Sequence, residues 1–265
     1  MTGEMFANAV AYNRMMGRWS ARLALQFLDF SSIPAGRILD VGCGTGSLVQ
    51  ALAARPGNPE IVGIDLAQPL IDYCRQQFTG PRFSFDCGNG MQLPYGDDFF
   101  DHALSLLVFM FIPEPAKAAA EMRRVTRPGG TVAACTWDGG SGGGSEIVAA
   151  FWEEAARLDP AAEHRPERQR HCNREGELAA LWRGTGFGGV EETALEMRMD
   201  FSSFDDYWEP FLGGIGPHGV YVAELSAGRR GALRQALRNR FLGGGPDGPI
   251  SIHARAWAVR GVVPG

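Results

Sequence analysis

The residues best suited to chemistry form one stretch, Ile38-Leu39-Asp40-Val41-Gly42-Cys43-Gly44-Thr45-Gly46-Ser47, where an apolar run ends in three glycines at alternate positions. Glycine there permits positive φ and lets the backbone approach a ligand closely. A helix starting just after it would offer free N–H groups to an anion. The same spacing also suits a tight turn that binds nothing. A dinucleotide loop needs glycine or alanine where Ser47 stands, which argues against a nicotinamide cofactor. Farther along, Asp65 ends a second apolar run, placed either to accept from ribose hydroxyls or to cap the following helix. Asn89-Gly90 reads as a ligand loop or as a turn. His218 is a candidate base or an exposed polar residue on a Gly-Pro loop.

The elements that must position these residues follow from periodicity. Strands are predicted at 38–42, 61–65, 83–87, 102–108 and 131–137, alternating with helices at 46–54, 68–78 and 114–124. That alternation is the mark of βαβ units feeding a mostly parallel sheet. An amphipathic helical segment within 1–30, with Met16, Trp19, Leu23 and Phe27 on one face, precedes the first strand. Pro128-Gly129-Gly130 predicts a turn, DGGSGGGS at 138–145 a connector, and 159–173 an exposed loop. Helices at 146–158 and 174–184 precede strands at 190–201 and 250–262. Between those strands, 203–245 reads as a helical insertion able to act as a lid. The expected architecture is one α/β domain over 1–265: a Rossmann-like, doubly wound sheet with helices on both faces and a helical lid before the last strand.

Several ordered segments, YNRMMGRWS (12–20), LDVGCGTG (39–46), VGIDLA (62–67), GNGMQLPYGDDFFD (88–101) and EMRRVTRPGGTV (121–132), together resemble the class I S-adenosylmethionine-dependent methyltransferases, near their quinone-biosynthesis-like small-molecule branch. RAWAVRGVV (255–263) resembles that family's last strand. The resemblance implies S-adenosylmethionine as cofactor. It places Gly42, Cys43, Gly44 and Gly46 at the methionine part, Asp65 and Leu66 at the ribose, and Asn89, Gly90 and Met91 at the adenine. It sets Leu106 and Leu107 beside the cofactor and Tyr12 and Trp19 near its methionine end, where an aromatic face can attract a sulfonium, while the helical spacing of Trp19 suits core packing equally. Asn89 stands where the family commonly carries Asp. The histidine that often follows the fourth strand is replaced by the apolar run Val108-Phe109-Met110-Phe111-Ile112.

An apolar acceptor pocket is therefore expected, drawing on Phe109 and on Tyr207, Trp208 and Phe211 of the insertion. Methyl transfer is an in-line displacement and needs alignment more than a dedicated base. A net charge of −5 with scattered basic residues disfavours nucleic acid as a partner. Five cysteines, an odd and widely spaced set, predict neither a disulfide framework nor a metal site. Without a signal pattern or a membrane-length apolar run, the expectation is a cytoplasmic monomer or homodimer acting on a small molecule. Two rival functions are a non-catalytic module binding S-adenosylmethionine or S-adenosylhomocysteine and an NAD-dependent oxidoreductase.

Overall fold

The structure is a computed structural model that describes residues 8–139, 146–165 and 170–265. Seven strands form one sheet in the order β3-β2-β1-β4-β5-β7-β6. They are β1 (Arg37–Val41), β2 (Glu60–Asp65), β3 (Phe83–Cys87), β4 (Phe100–Leu106), β5 (Thr126–Trp137), β6 (Gly188–Phe201) and β7 (Ile250–Val262). The first five are parallel, and β7 enters antiparallel between β5 and β6. The order reverses beside β1, and the crevice at the C-terminal ends of the strands opens there, as expected of a doubly wound sheet.

Side-chain alternation along the strands divides the core in two. Ile38, Leu104, Leu106, Ala133 and Cys135 face one layer, built by α2 (Arg18–Ser31), α3 (Ser47–Ala53), α4 (Gln68–Gln77) and α6 (Glu146–Leu158). Leu39, Val41, Ala103, Val132 and Ala134 face the other, covered by α5 (Pro115–Val125) and α7 (Glu177–Thr185). Trp19, Leu23 and Phe27 give α2 a buried stripe, each side chain contributing roughly 1.5–3 kcal/mol by burial. Between β6 and β7 the chain folds into α8 (Phe204–Trp208), a 3₁₀ turn (Glu209–Gly213), α9 (Gly216–Glu224) and α10 (Ala227–Leu242). This lobe packs on the first layer through Tyr207, Phe211 and Tyr221.

Three local expectations need correction. The fourth strand leaves the sheet after Leu106, because Leu107 adopts a left-handed φ of 64° that no strand can continue. Pro128-Gly129-Gly130 is a bulge inside β5 rather than a turn before it, with Thr126 opposite Phe100 and Thr131 opposite His102. The stretch 159–173 is not wholly exposed: a 3₁₀ turn (Pro160–His164) buries Ala162, and Cys172 is also buried. Residues 1–7 of the N-terminal segment, 140–145 of the connector and 166–169 of that loop lie outside the described residues.

Candidate functional site

A cavity of about 450 Å³ opens over the C-terminal ends of β1, β2 and β4. Its floor is the glycine loop. Gly42, Gly44 and Gly46 all take positive φ (76°, 54° and 85°), so the turn depends on residues without a β-carbon. At Gly42 a β-carbon would lie 2.4 Å from Val108. Asp65 braces the loop from below, one carboxylate oxygen accepting from Gly44 N (3.0 Å) and the other from Ala67 N (2.9 Å). The following helix has Ala67 at its N-cap and no side-chain cap, so Asp65 braces the loop rather than capping that helix.

The N-terminal segment closes over this floor. α1 (Ala9–Tyr12) runs through a π turn (Asn13–Gly17) into α2. π turns recur at functional sites. Here the turn aims Asn13 at the loop: Thr45 Oγ1 donates to its Oδ1 (2.6 Å), while its Nδ2 donates to Tyr73 Oη of α4 (2.9 Å). Tyr12 stands over Gly44, whose hypothetical β-carbon would lie 3.7 Å from the ring.

Two acids lie near each other here, Asp40 buried under the loop and Asp65 half-buried at the cavity. Asp40 is 1% exposed, and neither carboxylate oxygen has a hydrogen-bond partner. Burial, with the adjacent Asp65 charge, pushes its carboxyl up to about 8. Burial also raises Asp65 despite the backbone N–H groups that favour its charge, and burial with the Asp65 charge pushes the Tyr12 hydroxyl up to about 12. Such a pocket favours a cation, which relieves the repulsion between the carboxylates.

The side of the cavity beyond β2 and β3 is a loop set by Asn89. Its Oδ1 accepts from Met91 N (2.9 Å) and its carbonyl from Gln92 N (2.9 Å), so turn and cavity wall are the same residues. Arg124 of α5 holds this loop from behind, donating to the carbonyls of Leu93 (3.1 Å) and Tyr95 (2.8 Å) and to Glu121. Glu121 in turn accepts from Leu93 N (2.8 Å). Arg124 is thus a clamp on this loop. Only its distance in sequence from residues 93–95 hid that role.

The far half of the cavity is aromatic and apolar. Met15 and Met16 of the π turn, Trp152 of α6, Phe201 of β6 and Tyr207, Phe211 and His218 of the lobe line it. Its acids are already matched: Asp138 is paired with Arg255 (2.6 Å) and Glu153 with Arg240 (2.6 Å). Among the described residues no cluster of metal ligands occurs.

Comparison with known proteins agrees with this geometry. Residues 39–134 match the family model described as a methyltransferase domain. Across these residues the chain is similar to methyltransferases. It is 34% identical to a Mycobacterium tuberculosis protein named only as uncharacterized, over 106 residues, 39% of this chain and 38% of that protein. It is 34% identical to the malonyl-[acyl-carrier protein] O-methyltransferase of Serratia marcescens over 142 residues, 51% of this chain and 54% of that one. The chain thus spans about two fifths to one half of the length of these curated relatives. Its fold resembles Haemonchus contortus phosphoethanolamine N-methyltransferase 2, solved with phosphomonomethylethanolamine and S-adenosylhomocysteine, at a TM-score of 0.61 and 16% identity, covering 97% of this chain and 57% of that one.

Of the residues singled out from the methyltransferase resemblance, Tyr12, Gly42, Gly44, Asp65, Leu66, Asn89, Gly90, Met91 and Leu107 line the cavity. Tyr207, Phe211 and His218 line it too. His218 starts α9 and faces the cavity, rather than sitting on an exposed loop. Six others are elsewhere. Trp19 packs on Phe201 in the core, because α2 directs it inward with Leu23 and Phe27, and the π turn presents Met15 and Met16 to the cavity instead. Leu106 is buried in the first core layer. Phe109 turns into the second layer against Trp182, leaving Met110 and Phe111 at the cavity. Trp208 is one helical step from Tyr207 and stacks on Phe204. Cys43 is buried under the loop toward Gly63, and Gly46 caps α3, where a β-carbon would meet Phe78 at 2.3 Å. Asp40, Asn13 and Arg124 are the residues that spacing alone did not pick out.

Proposed function

We propose that this protein transfers a methyl group from S-adenosylmethionine to a small organic acceptor. The observation that carries the reading is the single cavity joining two unlike halves. One half is a backbone-lined floor with Asp65 at its edge and Asp40 buried beneath it, and the other an aromatic chamber. The cofactor would lie with its cationic methionine end over Gly42 and Gly44 near Asp40, its ribose toward Asp65 and Leu66, and its adenine along Asn89, Gly90 and Met91. Tyr12 would present its ring face to the sulfonium. The sulfonium supplies the methyl group and the leaving sulfur; the chain's own residues hold the acceptor in line and exclude water.

In this reading α8 to α10, within 203–245, act as the lid of one domain, tied to the N-terminal segment by Arg18, which donates twice to Asp206 (3.0 and 3.1 Å). No described helix is long and apolar enough to cross a membrane. Five free cysteines, four of them buried, fit a reducing compartment, and we assign the protein to the cytoplasm.

Titration calorimetry with S-adenosylmethionine, S-adenosylhomocysteine and NAD tests the cofactor assignment. Micromolar binding of the first two and none of NAD is expected. Asp65→Ala should weaken that binding by roughly 10–100-fold, since it removes a ribose acceptor and the brace of the loop. Binding of NAD alone, or an Asp65→Ala protein that binds normally, overturns the assignment. Release of S-adenosylhomocysteine in the presence of an acceptor separates an enzyme from a binding module.

A further inference from the structure

Two polar atoms in the aromatic half of the cavity have no partner. Tyr207 Oη and His218 Nε2 are sealed from solvent without a hydrogen bond, although both side chains line the cavity. They flank one ring: Phe211 lies 5.2 Å from Tyr207 and 5.6 Å from His218, centroid to centroid. His218 is further held edge-on against Phe151 at 4.7 Å. Leaving a buried polar group unbonded costs roughly 1–3 kcal/mol. Two such groups along one cavity are therefore best accounted for by a ligand that satisfies both.

Their chemistry narrows that ligand. Burial drives the Tyr207 hydroxyl far above the ordinary phenol range, and burial with the nearby Arg170 charge drives His218 down to about 3. Both are neutral at physiological pH. Tyr207 offers an O–H, and a neutral imidazole offers one acceptor and one N–H. An ammonium can only donate to such a pair and a carboxylate can only accept from it. An ammonium would be repelled by the nearby Arg170, and a carboxylate would bury a charge that only Arg170, already engaged over the Phe111 ring at 4.7 Å, could offset. A hydroxyl both donates and accepts, and stays neutral. Trp152, Phe201 and Met199 on the surrounding wall favour an apolar, ring-sized body.

We propose that Tyr207 and His218 form the recognition pair for a hydroxyl group on an apolar, ring-bearing methyl acceptor. The pair sets acceptor specificity. The proposal rests on the methyltransferase reading, so its test separates the two. Protein saturated with S-adenosylhomocysteine is titrated by calorimetry with 2-naphthol, 2-methylnaphthalene and 2-naphthoate, which share one shape and differ in the polar group. 2-Naphthol should bind at least about tenfold tighter than the other two. Tyr207→Phe and His218→Leu should each bring the naphthol to methylnaphthalene ratio close to one, and His218→Gln, which keeps an acceptor and a donor, should restore part of it.

Unchanged S-adenosylhomocysteine affinity and a melting temperature no lower than that of the wild type show that the fold of the variants is intact. A wild-type ratio of one, no binding of 2-naphthol, preference for 2-naphthoate, or a ratio indifferent to both substitutions overturns the proposal. If S-adenosylhomocysteine itself fails to bind, the cofactor reading falls. The same three-ligand series on the protein alone then still decides the pair.

Discussion

The two halves of the cavity are built from different parts of the chain by different means. The floor is backbone: three left-handed glycines between β1 and α3, braced by Asp65 from β2 and backed by Val108 just after β4. The chamber is side chain: rings and thioethers brought from the π turn, α6, β6 and the lobe, segments as far apart as Met15 and His218. A backbone-defined site tolerates little substitution, because φ and close approach leave no slack. A side-chain-defined site can change its lining and keep its frame. The comparison teaches that cofactor binding should fail abruptly on substitution, and acceptor binding by degrees.

The sharpest test of that contrast is Gly44→Val. At φ 54° a β-branched residue is strained, and its methyls would extend toward Tyr12 from a β-carbon already 3.7 Å from the ring. Calorimetry should show loss of S-adenosylhomocysteine binding beyond about 100-fold in a protein that still melts cooperatively. A folded variant with ordinary affinity would remove the loop from the site and the contrast with it.

The same division explains what the sequence could reveal. Gly42, Gly44, Asp65 and Asn89 were legible because a loop at a strand end is local, and its residue types are dictated by φ and hydrogen bonding. Trp19 takes the core alternative that its helical spacing offers, and Leu106 joins the core too, because apolar residues at helical or strand spacing serve core and cavity alike. The π turn, which brings Met15 and Met16 to the cavity in place of Trp19, leaves no signature in a 3.6-residue periodicity. The sheet itself was readable to within a residue or two, except where Leu107 and the β5 bulge broke the repeat.

A smaller effect should appear in the pH dependence of the floor. Asp40 has an ordinary carboxyl value of 3.8, raised to about 8 by burial and by Asp65, so the folded empty protein holds a proton there that the unfolded chain has released. Stability of the empty protein should therefore fall as pH rises from about 4 through about 8, and Asp40→Asn should flatten that slope. A cationic cofactor favours the carboxylate. Its affinity should rise with pH, by up to about tenfold per unit, and level off above about 8. Calorimetry at pH 6, 7 and 8 reads this directly; an affinity constant over that range would show that Asp40 does not sense the cofactor.

The smallest effect is expected where side chains support the floor from outside. The Arg124 side chain donates to the carbonyls of Leu93 and Tyr95 and to the carboxylates of Glu121 and Asp97, and none of these four residues lines the cavity. Glu121 is held below the ordinary carboxylate range chiefly by its hydrogen bond from Arg124, so the two act as one clamp on the loop that follows Asn89. Arg124→Met keeps the aliphatic stem and removes the donors. It should weaken S-adenosylhomocysteine by a few-fold, about 0.5–1.5 kcal/mol, through loosening of residues 89–95. Glu121→Gln should do no more than Arg124→Met, and the double variant should equal either alone, because both substitutions release the same loop. Additive losses would mean that the two residues support the site separately. An effect as large as that of Gly44→Val would mean that the adenine wall is as intolerant of change as the glycine floor.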